Sequence, residues 1–439
     1  MRTAILGGGI AGLAFRVFFK GRTTLFEKDS EVGGICKSLK KDGYTFDVSG
    51  SHVIFSSDAE VLNFEKEVLG GNIIFHKRNT KIYWKGKLVS YPFENDLASL
   101  GKEEAFECLV SYLKKVIEKN QLPEPNNFEE FAINSFGERI ANNYLIPYNK
   151  KIWNIQPSLL NCDWIKGRVP QPPVEDIVKS AIGIKTEGYS ANARFWYPKK
   201  GGFQAITNAI FERSQGEVRL NFEIKHVNRI GSQFRVSNGV EEFDFDRVVS
   251  SLPIPVLLKC IDNVPEDVKS AANNLNYNSV ICVMLGLKGK HNQKISWIYA
   301  PFEEDGLFNR ISFPSNYSPQ NAPEGNSSIL AEVTCKYEDD VWNVEKDKLI
   351  DQVINSLGKM GQLKKKDVVF KELHRERFGY IVYDLEHKKR LGVIMNFLKS
   401  YGIDLIGRFG NWEYWNSDKC IRSAIDKAAE MNRGLSGWT

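Results

Sequence analysis

Residues 3–34 read TAILGGGIAGLAFRVFFKGRTTLFEKDSEVGG, and the order of their parts decides the fold. Residues 3–6 are a short apolar run, the pattern of a strand buried on both faces of a parallel sheet. Gly7, Gly9 and Gly12 then give G-x-G-x-x-G. Residues 10–20 are mostly apolar and predict a helix, residues 23–26 predict a second strand, and Glu27 ends it. In such a unit the glycines permit a tight turn and let backbone N–H groups at the helix N-terminus reach a pyrophosphate. An acid about 20 residues beyond the first glycine is placed to accept hydrogen bonds from a ribose. A glycine-rich turn by itself carries none of this chemistry. The flanking strands and Glu27 make it a dinucleotide site.

Gly33 and Gly34 follow Glu27 in an E-x(5)-G-G spacing, which resembles FAD-binding proteins more than NAD dehydrogenases. FAD, held through its ADP half, is therefore the expected cofactor. The 439 residues suffice for two or three domains. A formal charge of +5 is small for this length and is spread along the chain, and the clearest basic run, Lys364 to Lys366, ends at Asp367. Nucleic-acid binding is not indicated, while a mild cationic excess suits a small anionic ligand. Seven Cys, an odd number with no C-x-x-C pair, predict free thiols in a reducing compartment and hence a cytoplasmic location, with neither a disulfide framework nor a metal site. No apolar stretch reaches about 18 residues, so no membrane span is expected.

Further along, residues 96–156 carry apolar residues at helical spacing, broken by Pro123, Pro125 and Asn126-Asn127. Residues 217–252 alternate as strands do, and 247–253 (RVVSSLP) read as a strand returning to a Rossmann sheet. Residues 279–287 and 328–333 predict further strands. The tail from 403 to 432 predicts a strand, a glycine turn at Gly407-Arg408-Phe409-Gly410 and a closing helix. Nucleotide-binding pieces thus lie at both ends of the chain, and the domains are interleaved.

Several segments, taken in order, resemble the UDP-galactopyranose mutase family, especially its fungal type. Residues 46–56 (FDVSGSHVIFS) resemble its histidine loop, and 91–95 (YPFEN) its base-binding segment. Residues 147–153 (PYNKKIW) and 164–169 (WIKGRV) are similar to its substrate-facing helices, and 192–202 to the motif that follows. Residues 297–299 and 309–319 resemble its diphosphate segment; His374-Arg375, Gly379-Tyr380 and 407–414 (GRFGNWEY) resemble its closing motifs. The chain departs from that pattern in places. Ser49-Gly50-Ser51-His52 stands where Gly-Gly-His is usual, Ile381 where a proline is usual, and the run near Asp418 lacks the usual Gln-Asp-His.

The resemblance implies an α/β fold with a Rossmann-like FAD-binding domain, a helical bundle insertion and an antiparallel β-sheet domain. The expected divisions are 1–90 with 200–252 and 370–439 for FAD, 95–190 for the helices, and 253–369 for the sheet that completes the substrate cleft. It implies a mutase that interconverts pyranose and furanose forms of a nucleotide sugar, through attack of the reduced flavin N5 on the sugar C1, with no net redox change. FAD is then active when reduced, with NADPH or NADH as reductant, and the product class, galactofuranose, belongs to cell-surface glycan biosynthesis. A nucleotide sugar is the expected partner; a homo-oligomer is left open.

By the same resemblance Arg168 and Arg310 grip the diphosphate, since a guanidinium fork matches two phosphate oxygens. His52 lies beside the flavin and orients it, without acting as a general base. Tyr299, Tyr317, Tyr380 and Tyr414 supply hydroxyls to the phosphates; Asn149, Trp153, Asn192 and Trp297 line the substrate site; Tyr91 or Phe93 stacks on the base. Gly7, Gly9, Gly12, Glu27, Gly33, Gly34, Ser51, Arg408 and Asp418 are the expected FAD contacts. Glu94 stands where uridine-using members carry glutamine. An ionised glutamate only accepts hydrogen bonds, whereas guanine offers two adjacent N–H donors, so a GDP- or other NDP-sugar is an alternative substrate. An oxidoreductase of the amine oxidase or protoporphyrinogen oxidase type shares the same FAD start and is the alternative activity. A flavin-binding protein without the reaction is the non-catalytic alternative.

Overall fold

The structure is a computed structural model, and it describes residues 2–169, 171–185, 194–290 and 294–436. The opening stretch folds as its pattern dictates. Strands Arg2–Leu6 and Arg22–Phe26 lie parallel and side by side, with helix Ile10–Phe18 between them in sequence. Their inward residues, Ala4, Ile5, Leu6, Leu25 and Phe26, are fully buried. Each large apolar side chain so buried contributes about 1.5–3 kcal/mol. The five-stranded sheet is parallel throughout, in the order Ile403–Leu405, Arg247–Ser250, Arg2–Leu6, Arg22–Phe26, Glu217–Arg219. Residues 247–250 and 403–405 do return to the Rossmann sheet, and the closing helix, Ser417–Ser436, packs against the first one.

The helical insertion comprises Lys102–Glu118, Phe128–Ile140 and Ile146–Trp153, the last two joined by a π-helical turn, Ala141–Leu145. The break between the first two falls at the predicted prolines, where Asn127 caps the second helix by accepting from the Glu130 N–H. A seven-stranded sheet lies beyond, in the order Val368–Ile381, Tyr277–Leu287, Ser327–Cys335, Arg310–Ser312, Trp297–Tyr299, Thr80–Trp84, Lys87–Ser90. Its pairings are antiparallel except that of Trp297–Tyr299 with Thr80–Trp84.

This sheet redraws the divisions expected at residues 90 and 370. Residues 80–90 and 370–381, which the expected divisions gave to the FAD unit, are hydrogen-bonded into the sheet instead. The reason is pairing: Val280 to Leu287 offers a fully buried ladder edge to residues 368–376, a partnership that local sequence does not disclose. No helix among the described residues is long and apolar enough to cross a membrane.

Candidate flavin and substrate site

The glycine turn sits between the first strand and the first helix. Gly9, extended and without a side-chain cap, leaves the N–H groups of the first helical turn open to a ligand. A Cβ at Gly12 would collide with the Gly7 carbonyl oxygen, so the helix can start this close to the turn only with glycine there. Gly33 donates to the Gly8 carbonyl at 2.9 Å and bridges Gly9, which brings both glycine pairs to one place. Glu27 is buried at the strand end, one oxygen 2.8 Å from the Gly8 N–H and the other 3.0 Å from that of Asp29.

The histidine loop crosses above. Asp47 is buried and accepts from Ser38 Oγ, Tyr197 Oη and the Phe203 N–H. Burial pushes its carboxyl up to about 6, against the pull of those donors. The His52 ring lies 5.1 Å from that of Phe203 and nearly parallel to it. Burial, then the charges of Arg310 and Arg408, lower the imidazole to about 3, so it is neutral. Neutral His52 cannot be a resting acid, in keeping with the orienting role expected of it.

Glu332, which sequence reading missed, holds this loop. It is fully buried and accepts from Arg310 Nε at 2.8 Å and Nη2 at 2.7 Å, and from the Ser51 N–H at 3.0 Å. Tyr380 Oη lies 3.4 Å from the same carboxylate, and Arg310 Nη2 reaches the Ser51 carbonyl at 3.3 Å. Burial opposes the Arg310 charge, and Glu332 more than offsets it. The signal was available: Glu332 interrupts the run SSILAEVTC, and a charge inside a buried strand requires a partner.

The second cationic group is a pair. The Arg168 guanidinium lies 3.9 Å from the Tyr414 ring centroid and donates to the Tyr414 carbonyl. Arg408 lies 4.7 Å from the same ring and 5.4 Å from that of Tyr380, and donates to the Gly379 carbonyl at 2.6 Å. Arg168 and Arg408 thus meet on one tyrosine, and Arg310 joins them through Tyr380 and Glu332. Trp153 closes the group, its ring 5.2 Å from Tyr414 and 6.2 Å from Tyr380. Asn149 orients that indole by accepting from its N–H at 2.9 Å while donating to the Leu145 carbonyl at 2.8 Å. Its amide is committed to its own helix.

A separate line of rings runs through Tyr299. Tyr299 packs between Tyr148 and Tyr91, Tyr148 on Tyr144, and Tyr144 on Phe93. Tyr148, which sequence reading left out of the site, joins Tyr299 to Tyr144, and Arg310, Tyr380 and Tyr414 act on its hydroxyl electrostatically. Glu94 is buried beside Tyr91, Tyr112 and Tyr144, whose hydroxyls its charge pushes up after burial does; it does not face solvent.

Two expected phosphate or substrate contacts lie apart from this group. Tyr317 is buried, donates to the Ser296 carbonyl at 3.0 Å and accepts from Ser51 Oγ at 3.0 Å, bracing the histidine loop from behind. Trp297 is buried against Phe195. Asp418 is buried at the start of the closing helix and accepts from Ser56 Oγ at 2.8 Å. Asn192 lies outside the described residues.

These residues fit FAD. The open helix N-terminus suits the pyrophosphate, Glu27 suits the ribose, and His52 Nδ1 and Arg408 Nε are buried polar atoms with no partner among the described residues, as an isoalloxazine edge would provide.

Comparison with known proteins agrees. The flavin containing amine oxidoreductase family matches residues 20–387. A crystal structure of reduced UDP-galactopyranose mutase superposes with a TM-score of 0.90 at 28% identity, covering 99% of this chain and 96% of that one. A provisionally named protoporphyrinogen oxidase from Exiguobacterium sp. 255-15 superposes with a TM-score of 0.77 at 16% identity over 99% of both chains, a likeness of fold. The 4,4'-diapophytoene desaturase of Staphylococcus aureus (strain COL) is 44% identical over 57 residues, which is 12% of this chain and 11% of that protein's length. On its glycine turn, its sheets and a match over most of its length, the chain belongs to the flavin containing amine oxidoreductase family, as a flavin-dependent enzyme resembling UDP-galactopyranose mutase.

Proposed function

We propose that the enzyme is a mutase interconverting the pyranose and furanose forms of a nucleotide sugar, of the UDP-galactopyranose/UDP-galactofuranose type. The observation that carries this reading is the convergence of Arg168 and Arg408 on the Tyr414 ring, with Arg310 held beside them by Glu332. An oxidase acting on a neutral or cationic substrate has no use for such a group; a diphosphate does. Bound and reduced, FAD supplies the nucleophile toward the sugar C1. The chain's residues do the rest: Arg168, with Arg310 Nη1, which takes no part in the Glu332 bridge, holds the diphosphate as it leaves and returns. Neutral His52 orients the flavin without trading protons, and Trp153, Tyr380 and Tyr414 exclude water. NADPH or NADH is the proposed reductant, and cell-surface glycan synthesis in the cytoplasm the proposed setting.

The test is to reduce the enzyme with dithionite, add UDP-galactofuranose and follow UDP-galactopyranose by chromatography. Multiple turnovers per reduced flavin support the reading. No interconversion, together with oxygen-dependent peroxide formation from an amine or porphyrinogen, supports the oxidoreductase alternative. Buried Glu94 favours a second reading of the base, since a carboxylate suits the paired N–H donors of guanine. Calorimetric titration decides: tighter UDP than GDP binding removes it.

A further inference from the structure

Glu65 is a fully buried acid that the proposed chemistry does not use. It lies on helix Ala59–Leu69, and its carboxyl points at the first turn of the closing helix Ser417–Ser436. Ser417 Oγ, 3.4 Å away, serves one oxygen, and the other has no partner among the described residues. The next residue, Asp418, is also buried and is fully served, by Ser56 Oγ and the Lys419 N–H, each at 2.8 Å. Cys36, just past the Gly33-Gly34 pair, completes the surroundings; its thiol feels Cys420, Asp47 and Glu65 on one side and Arg408 on the other. On the closing helix Lys419 is exposed, and Arg422 is taken by Asp58 and Glu60. Two carboxyls therefore share one helix N-terminus, whose partial positive charge suits a single anion, and Asp418 is the better served of the two.

We propose that Glu65 is the proton-holding member of a coupled Glu65–Asp418 acid pair whose protonation is tied to the redox state of the bound flavin. Two electrons and one proton reduce oxidised flavin to its anionic form. Where Glu65 starts ionised, the new negative charge draws a second proton from solvent onto its unpartnered oxygen, giving two electrons and two protons in all. The electrons come from dithionite in the test and from a nicotinamide dinucleotide in the proposed cycle. Burial, then the Asp418 charge, push Glu65 up to about 8, so it rests neutral at neutral pH. The inference rests on the flavin lying by Arg408 and the Gly33-Gly34 pair, to which Glu65 is tied through Cys36, and not on the mutase reading.

The test measures the flavin midpoint potential against pH in holoenzyme and in Glu65→Gln, which mimics the neutral acid. In the wild type the slope steepens twofold above about pH 8; in the variant the one-proton slope continues. Equal slopes in the two proteins overturn the proposal. Should Glu65→Gln not fold, wild-type enzyme labelled with [13C]glutamate is read by redox-difference infrared spectroscopy above that pH. A label-sensitive protonated-carboxyl band that grows on reduction supports the coupling, and its absence overturns it. Neither readout uses sugar turnover, so a failed mutase assay leaves both outcomes intact.

Discussion

Arg168 stacks on Tyr414 and donates to its carbonyl, and no carboxylate pairs with it among the described residues, which leaves its charge for a ligand. Arg168→Ala is expected to lower kcat/KM for the nucleotide sugar by about a hundredfold or more, the usual consequence of removing one preorganised charge donor. Flavin content, read from absorbance, should not change. Arg168→Lys should recover little, because an ammonium cannot stack or grip two oxygens at once. His52 carries a different expectation. A neutral imidazole lowered to about 3 contributes no limb to the pH–rate profile between pH 5 and 8. Its stability contribution is fully present above the ordinary histidine range near 6.5 and is lost as pH falls toward about 3. Nitrogen-15 NMR of labelled enzyme should therefore show one neutral tautomer down to at least pH 5, and an imidazolium signal there would refute the assignment.

Two elements depend on single positions. Gly12→Ala forces a methyl group into the Gly7 carbonyl and must displace the helix from the turn. Overpacking of this kind costs about 1–3 kcal/mol, and here it also opens the pyrophosphate cradle. The variant is expected to purify with little FAD, by the ratio of flavin to protein absorbance. Glu332 joins the seven-stranded sheet to the histidine loop through Arg310 and the Ser51 N–H. Glu332→Ala strands a buried guanidinium, a loss of about 3–5 kcal/mol in stability, visible as a lowered urea midpoint. Glu332→Gln keeps the shape and should fall between the two.

At the scale of the molecule, the Tyr380–Tyr414 pair and the separate ring line Tyr299, Tyr148, Tyr144, Phe93 draw their residues from the helical insertion, the seven-stranded sheet and the closing segment. A ligand spanning the two touches all three. Its binding therefore stabilises the whole fold, by about 2.7 kcal/mol at a concentration a hundred times Kd. UDP should raise the melting temperature of wild type, and at the same concentration raise it less for Arg168→Ala. A shift unaffected by the substitution would separate nucleotide binding from this arginine.

Much of this was legible in local sequence for a physical reason. A tight turn, a helix start and a parallel strand are governed by neighbours a few residues apart, so the glycines, Glu27 and the returning strand 247–250 could be read directly. The helix breaks at Pro123 and Pro125 belong to the same class. Which strands pair, and which charges meet, depends on residues hundreds of positions apart. The sheet's capture of 80–90 and 368–381, the Glu332 bridge to Ser51, the meeting of Arg168 with Arg408 and the Glu65–Asp418 pair are all of that kind. Tertiary packing alone decided them, because a buried charge or an open strand edge takes its partner from whatever the fold brings near, and no local pattern names that partner.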